Sequence, residues 1–428
     1  MLMNHSVNHI AVIGSGIAGL ATAYYLSRKH QVFLFEKETR LGGHTHTVNV
    51  ESSAGPLPVD TGFIVHNDLT YPNLIRLLRE LRVPRMDSDM SFAVSCRNTG
   101  YEYSSRGVNG FFAQRQNILK ARQWRLFGEI RRFNREAAGL LDRPDAEKLR
   151  MGEFLAEKNF TNEFCELYLL PMASAVWSCA HNSVREFPAA TLIRFFDNHR
   201  FLSVNNHPTW KTIVGGCSRY IEPLTKPFKD RVFTGVSIRS VLRDESGVTL
   251  QFSDGRPEMR FAHVVFATHG DQILPLLSDA SAKEREVLGA FQTSRNEVTL
   301  HTDENLLPRS PAARASWNYL LHLDPRNGHG PGPVTMTYHM NRLQNLSVPE
   351  NYCVTLNANG QIRPEKILRK LIYNHPLYTL DSIRSQKRWQ EISGVHRTHY
   401  CGAYWAYGFH EDGVNSALRV AQTLGVQV

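Results

Sequence analysis

Six cysteines in 428 residues, none in a CxxC or otherwise paired spacing, leave no disulfide framework and no zinc knuckle. No apolar run approaches the ~18–20 residues of a membrane-crossing helix. The N-terminus enters an apolar strand by His9, without the basic region, long hydrophobic stretch and cleavage site of a leader. These absences predict a reduced, cytoplasmic chain. No paired carboxylates, Ser-His-Asp order or His/Cys/Asp/Glu cluster stands out, and no metal ligand is named. There is no internal repeat and no low-complexity linker. Acidic charge is the scarcer sign: 40 Asp and Glu against 49 Lys and Arg give a net charge of +9. That balance admits phospholipid headgroups, acidic substrates or nucleic acid as partners. Hydrophobic content of 42% with 21% charged residues is that of a globular chain with a large core.

What is present is concentrated near the start. Ile10 to Ile13 form a short apolar run bounded by glycine, the pattern of a buried parallel strand. Gly14, Gly16 and Gly19 then spell G-x-G-x-x-G, and Leu20, Ala21, Ala23, Tyr24 and Leu26 follow at helical spacing. A second strand, Val32 to Phe35, ends on Glu36. Three glycines alone are a weak signal; a strand, a helix, a second strand and an acid around them make a nucleotide-binding βαβ unit. Gly14 makes the tight turn, Gly16 admits a pyrophosphate, and Gly19 allows close helix packing. The helix N-terminus offers free N–H groups to phosphate, and Glu36 can take ribose hydroxyls.

Further along, Gly42-Gly43 precedes His44-Thr45-His46, and residues 59–65 read as a strand around Gly62. Tyr71-Pro72-Asn73 starts a helix. Residues 84–204 change character: a small antiparallel pair spans 90–103, and 110–141 reads as one helix with Leu119, Leu126, Ile130, Phe133, Ala137 and Leu140 on one stripe. Lys120, Arg122, Arg125, Arg131, Arg132 and Arg135 crowd its other faces. Such a helix either turns a solvated basic face to water or lies on an anionic membrane. Helices are expected at 151–168 and 189–200. Near 205 the nucleotide lobe resumes with strands at 232–238, 248–252 and 261–268. Strands follow at 296–302, 315–322, 334–339 and 352–356, then a helix at 364–373, an aromatic run Tyr404-Trp405-Ala406-Tyr407, and a last helix from Val414. Nothing resembles a second dinucleotide fingerprint, since Gly328–Gly332 carries prolines and no βα unit.

Five blocks now stand in a familiar order: Gly14–Gly19, Glu36, Gly42-Gly43, the Ala267-Thr268 strand, and Gly402 with Gly408–Gly413 before a helix. The whole chain resembles the FAD-dependent amine oxidase and phytoene desaturase superfamily. Residues 59–65, Met340–Gln344 and Gly402–Asp412 are most similar to a bacterial branch of predicted FAD-binding oxidoreductases that accompany cyclopropane fatty acid synthase-type methyltransferases. The resemblance implies an α/β fold: a Rossmann-type FAD-binding domain from residues 1–83, 205–284 and 391–428, with an inserted α+β substrate domain from 84–204 and 285–390. It implies FAD, with Gly14, Ser15, Gly16 and Gly19 at the pyrophosphate and Glu36 and Lys37 at the ribose. Gly42, Gly43, His44 and Thr45 would lie along the flavin phosphate side, and Val236 and Thr268 at the adenosine half. Gly402, Asp412, Gly413 and Val414 would bring a helix N-terminus to the pyrimidine edge of the flavin, where reduced flavin carries negative charge.

Two departures bear on activity. Amine oxidases of this kind usually carry Arg after the Gly-Gly pair, where this chain has His44, and a flavin-side Lys that residues 296–302 lack. The reading that follows is hydride transfer at flavin N5 on an apolar substrate, a fatty acyl or lipid chain. The alternatives are oxidation of a soluble amine, or a non-catalytic flavoprotein partner of a lipid methyltransferase. Beside the flavin, His410, Tyr404, Trp405 and His46 are the candidate catalytic or substrate-facing groups, with His44 and Tyr407 near them. His339 and His375 read as structural. Expected partners are a lipid or apolar small molecule, a lipid methyltransferase and, through helix 110–141, the inner membrane face; no nucleic acid is expected.

Overall fold

The computed structural model describes residues 7–203, 208–321, 323–324, 328–329 and 335–428. Its organising strand is His9–Ile13, buried at every position after His9. This strand lies at the centre of a five-stranded parallel sheet, in the order Val232–Phe233, Gln31–Phe35, His9–Ile13, His263–Phe266, Thr398–Tyr400. Ile13 sits opposite Phe35 on one side and Phe266 on the other. Parallel neighbours require crossovers, and the first is the helix Ile17–Leu26, buried along its length except at Tyr24. The final helix, His410–Thr423, packs across it. Gly413 permits that approach, since a Cβ there would stand 2.7 Å from Ile17 Cγ2.

The second lobe is built on a seven-stranded sheet. Its order is Ile367–Leu377, Gln292–His301, Cys353–Leu356, Thr335–His339, Trp317–Leu321, Phe92–Cys96, Tyr101–Ser104. All its pairs are antiparallel except Phe92–Cys96 with Trp317–Leu321. Helices Ala121–Leu140, Met151–Glu157 and Ala189–Asn198 complete the lobe, with Phe133, Phe154, Phe160 and Phe164 forming a contiguous aromatic core. The fold is thus a Rossmann-type α/β lobe with an inserted α+β lobe. Asp60 ties the two together. Its carboxylate accepts from Thr47 Oγ1 (2.6 Å), the Cys217 N–H (2.9 Å) and Gln344 Nε2 (3.1 Å), while its own N–H donates to Gln344 Oε1 (2.8 Å). Burial lifts the Asp60 carboxyl to about 6 despite the Thr47 and Cys217 hydrogen bonds.

Several elements differ from the sequence expectation. Residues 364–373 form no α-helix: after a single 3-10 turn at Pro364–Lys366, Ile367–Leu377 is an edge strand paired over its length with Gln292–His301. Tertiary pairing overrides the local pattern there, and Pro376 is tolerated because the strand is at an edge. The single helix at 110–141 is three pieces, Gly107–Phe111, a tight turn Arg115–Leu119, and Ala121–Leu140. Side-chain bonds compete for the backbone of the turn: Trp124 Nε1 donates to the Ile118 carbonyl and Gln123 Nε2 to that of Phe111. Leu119, expected on the buried stripe, is 91% exposed. The helix at 151–168 breaks after Glu157 and resumes at Asn162 through a π-turn at Cys165–Leu169. The strand expected at 59–65 ends at Asp60, and the final helix begins at His410, a turn earlier than expected. The Gly328–Gly332 stretch lies mostly outside the described residues.

Candidate flavin and substrate site

The glycine loop has the geometry its sequence requires. Gly14 has φ +101°, and a Cβ there would lie 2.8 Å from the Ala267 carbonyl oxygen and 3.2 Å from the Thr268 nitrogen. At Gly19 a side chain would strike the Gly14 carbonyl. Gly16 is the opposite case: nothing lies within 4 Å of where its Cβ would be, so this side of the loop faces open space. Gly42 (φ +110°) donates its N–H to the Ser15 carbonyl at 3.0 Å, and a Cβ on Gly43 would come within 3.1 Å of Gly16 Cα. Glu36 Oε2 accepts from the Ser15 N–H (2.8 Å) and Ser15 Oγ (2.6 Å). The Val236 N–H donates to the Glu36 carbonyl at 2.9 Å. The fold therefore brings Gly14, Ser15, Gly16, Gly19, Glu36, Gly42, Gly43, Val236 and Thr268 to one place. Lys37 is exposed at its margin.

Beyond the glycine pair lies a cluster of rings. The His44 imidazole is 4.9 Å from the Tyr373 ring, 5.2 Å from His375 and 5.7 Å from His269. Its Nε2 is buried without a hydrogen-bond partner among the described residues. Asn296 Nδ2 donates to His375 Nδ1 at 3.0 Å and Asn296 Oδ1 accepts from Asn357 Nδ2 at 2.8 Å. The Tyr373 hydroxyl bonds His46 Nδ1 (2.9 Å) and Thr61 Oγ1 (2.8 Å). Burial, then the neighbouring imidazoles, holds His44 well below its ordinary range; burial likewise takes His375 down to about 4 and lowers His269. His46, half buried, falls to about 4 through desolvation and then Arg40 and Arg369. The cluster is neutral at physiological pH, with the unprotonated Nδ1 of His375 taken by Asn296.

This cluster lines a cleft of about 970 Å³ between the glycine pair and the edge of the seven-stranded sheet. Gly43, His44, His46 and His269 form one wall; Val298, Thr299, Leu371 and Tyr373 form the other, with the Ala358–Ile362 loop at its end. His410 does not line this cleft. It stacks on Phe63 with centroids 3.5 Å apart, and its Nε2 lies 3.0 Å from both Thr45 Oγ1 and the Tyr220 hydroxyl. Burial holds it neutral, with a pKa of about 3. Beside it a second groove, of about 500 Å³, is lined by Tyr71, His199, Tyr407, Phe409 and Asp412. Asp412 caps the final helix through the Phe409 N–H (2.9 Å), and burial raises its carboxyl to about 7. Tyr404 and Trp405 are buried, each 4.8 Å from the Phe291 ring. Both pack into the nucleotide-lobe core, and Tyr404 also borders a narrow cavity with His269. Gly402 donates its N–H to Ser416 Oγ at 2.9 Å; Gly413 and Val414 lie inside the helix. The sequence reading names neither His269 nor Tyr373 as a site residue, sets Glu297 or Asn296 at the position of the flavin-side lysine, and takes His375 as structural. Strand alternation across 367–377 would have put Tyr373 and His375 on one face; the helical reading hid it.

A family model for flavin-containing amine oxidoreductases matches residues 17–424. The chain belongs to that family. A candidate flavin-containing monoamine oxidase of Mycobacterium tuberculosis, AofH, is 28% identical over 270 residues, covering 60% of this chain and 56% of that protein. The chain therefore spans a little over half the length of the curated relatives it matches. Among solved structures, putrescine oxidase bound to putrescine superposes with a TM-score of 0.69 at 13% identity, covering 99% of this chain and all of the other. A fatty acid isomerase from P. acnes that produces CLA superposes with a TM-score of 0.70 at 16% identity, covering 98% and 99%. As a member of the flavin-containing amine oxidoreductases, the chain has the FAD-binding fold of that family. Its residues fit that cofactor: open space beside Gly16, two positive-φ glycines against the loop, and a buried His44 Nε2 with nothing yet to bond.

Proposed function

We propose that this oxidoreductase acts on an acyl chain carrying an anionic head, with the ~970 Å³ cleft as the substrate chamber. The observation that carries this is the composition of the cleft. Ile367, Leu371 and Ile372 supply aliphatic surface to an otherwise polar lining, over the buried Val298 and Ile362, and Arg40, Arg369 and Lys370 stand among its lining against only Glu38 and Glu297. Glu297 is itself engaged by Arg295. A protonated amine would enter against Arg40 and Arg369, while a carboxylate or phosphate would be drawn in by them. The strand Gln292–His301 carries no lysine, and its inward Asn296 is spent on His375 and Asn357.

In this reading Gly14, Ser15, Gly16 and Glu36 hold the adenosine diphosphate half of FAD, and Gly42 to Thr45 the flavin side. When bound, FAD supplies hydride transfer at N5. The chain's own residues hold the rest: the cleft walls exclude water and align the chain. His375, its Nδ1 held as an acceptor by Asn296, presents an Nε2–H, and His44, packed on it with Nε2 unpartnered among the described residues, offers the neutral nitrogen that takes or returns a proton. His410 keeps Thr45 and Tyr220 in place, a positioning role. Fold likeness does not choose between substrates, since its neighbours act on both an amine and a fatty acid. The branch resembled above would add a lipid methyltransferase as a partner handling the same acyl chains.

The test is anaerobic titration of the FAD-loaded protein with oleate, acyl phosphatidylglycerol, putrescine and benzylamine, reading the flavin absorbance and the mass of the acyl product. An acyl-dependent spectral change with conversion of the chain is expected. Bleaching by the amines alone overturns the reading.

A further inference from the structure

The tip of the inserted lobe carries a surface that the cleft does not use. From Tyr103 to Gly128 the chain has five cations, Arg106, Arg115, Lys120, Arg122 and Arg125, and no carboxylate. The same segment exposes large apolar side chains: Val108 at 75%, Leu119 at 91%, Trp124 at 52% and, less fully, Ile118 and Phe127. They are not scattered. The Trp124 ring lies 5.1 Å from Phe112 and 6.5 Å from Phe127, and its Nε1 is tied to the Ile118 carbonyl at 2.8 Å, which fixes the ring outside the core. The nearest carboxylates are already committed. Glu163 pairs with Arg122, Glu129 is taken by Arg132 and Thr161, and Glu102 accepts the N–H groups of Arg309 and Ser310.

We infer that this tip, residues 106–127, docks on an anionic phospholipid bilayer. Leucine, tryptophan and phenylalanine projecting from a rim of arginine and lysine match an interface with an acyl boundary below and phosphate at the same level. An acidic protein or a nucleic acid would satisfy the cations and leave Leu119 and Val108 in water. The surface differs from the one the sequence pattern suggests. In the far half of helix Ala121–Leu140, Arg132 is paired to Glu129 and Arg135 lies beside Glu136, leaving Arg131 without the exposed apolar neighbours of the tip, so the contact is the tight turn and the first helical turns, not the helix as a whole. No helix among the described residues is long and apolar enough to cross a membrane, so attachment here is peripheral and reversible.

The experiment is flotation of the full-length FAD-loaded protein with vesicles of phosphatidylcholine, with and without a third of phosphatidylglycerol. Binding is expected only with the anionic lipid, and it should fall about tenfold or more at ~0.5 M salt, where the Debye length shrinks to about 4 Å. Leu119→Ser and Lys120→Glu/Arg125→Glu alter exposed positions outside the cleft. Each should cut vesicle binding about tenfold while circular dichroism and flavin absorbance stay unchanged. Arg256→Glu, on the nucleotide lobe, should bind as the parent does. Equal binding to neutral vesicles, no loss in the tip variants, or loss of a dimer in sedimentation in place of loss of lipid binding would each overturn the proposal. Because no substrate is turned over, failure here leaves the acyl reading of the cleft standing, and failure of that reading leaves this one.

Discussion

Gly16 separates folding from cofactor binding more cleanly than any other residue in the loop. Its backbone is extended at φ −63°, ψ 176°, and open space surrounds the missing Cβ. Gly16→Ala should leave the melting temperature of the flavin-free protein within a few degrees of the parent and weaken FAD binding at least tenfold, read by fluorescence titration. Gly14→Ala should instead lose the fold, because φ +101° and the Ala267 carbonyl leave no room. His375 gives a second residue-scale test. The unfolded chain takes its proton near pH 6.5, whereas the folded chain refuses it until about 4. Its contribution is therefore present above pH 6.5 and lost as pH falls towards 4, a step of roughly 3 kcal/mol. His375→Gln should flatten that part of the acid-stability curve measured by urea unfolding.

At the scale of elements, the buried ion pair between strand Ile238–Asp244 and helix Ala282–Leu288 is the most exposed to mutation. Arg243 Nη2 meets Glu284 Oε2 at 3.0 Å with both side chains 2% accessible, and Tyr400 on the edge strand of the parallel sheet donates to Glu284 at 2.6 Å. Burial works to raise the Glu284 carboxyl, but the Arg243 and Tyr400 hydrogen bonds prevail and hold it at about 2. Glu284→Gln leaves the buried Arg243 guanidinium with only the partly exposed Asp279 carboxylate as a charge partner, so a loss of about 2–3 kcal/mol, below the cost of a fully broken buried pair, is expected in chemical denaturation.

For the whole molecule, eleven buried or half-buried histidines among the described residues have pKa values below the ordinary range: His44, His46, His66, His199, His263, His269, His301, His339, His375, His399 and His410. Each must be protonated when the chain unfolds in acid. Asp60 and Asp412, raised to about 6 and about 7, act in the other direction. The histidines outnumber them, so the flavin-free protein should melt progressively lower between pH 6.5 and 4.5, by calorimetry. A melting temperature that rises over that interval would show that the imidazoles are not buried together.

Much of this was legible in the sequence, and for local reasons. A strand, three glycines, a helix, a strand and an acid are neighbours along the chain, so G-x-G-x-x-G and Glu36 announced the nucleotide lobe before any tertiary contact was known. Binary patterning likewise marked Pro72–Glu80 and the Phe92–Ser104 hairpin. The cleft could not be read this way. His44, His269 and His375 lie far apart in sequence, and what makes them a site is the pairing of Ile367–Leu377 with Gln292–His301, a long-range hydrogen-bonded register that local propensity opposed. Leu119 shows the same division, since only the folded lobe decided that this leucine would face out among arginines. Sequence fixes what short-range geometry can enforce; which side chains meet, and which are left to water, is settled when distant strands compete for the same partner.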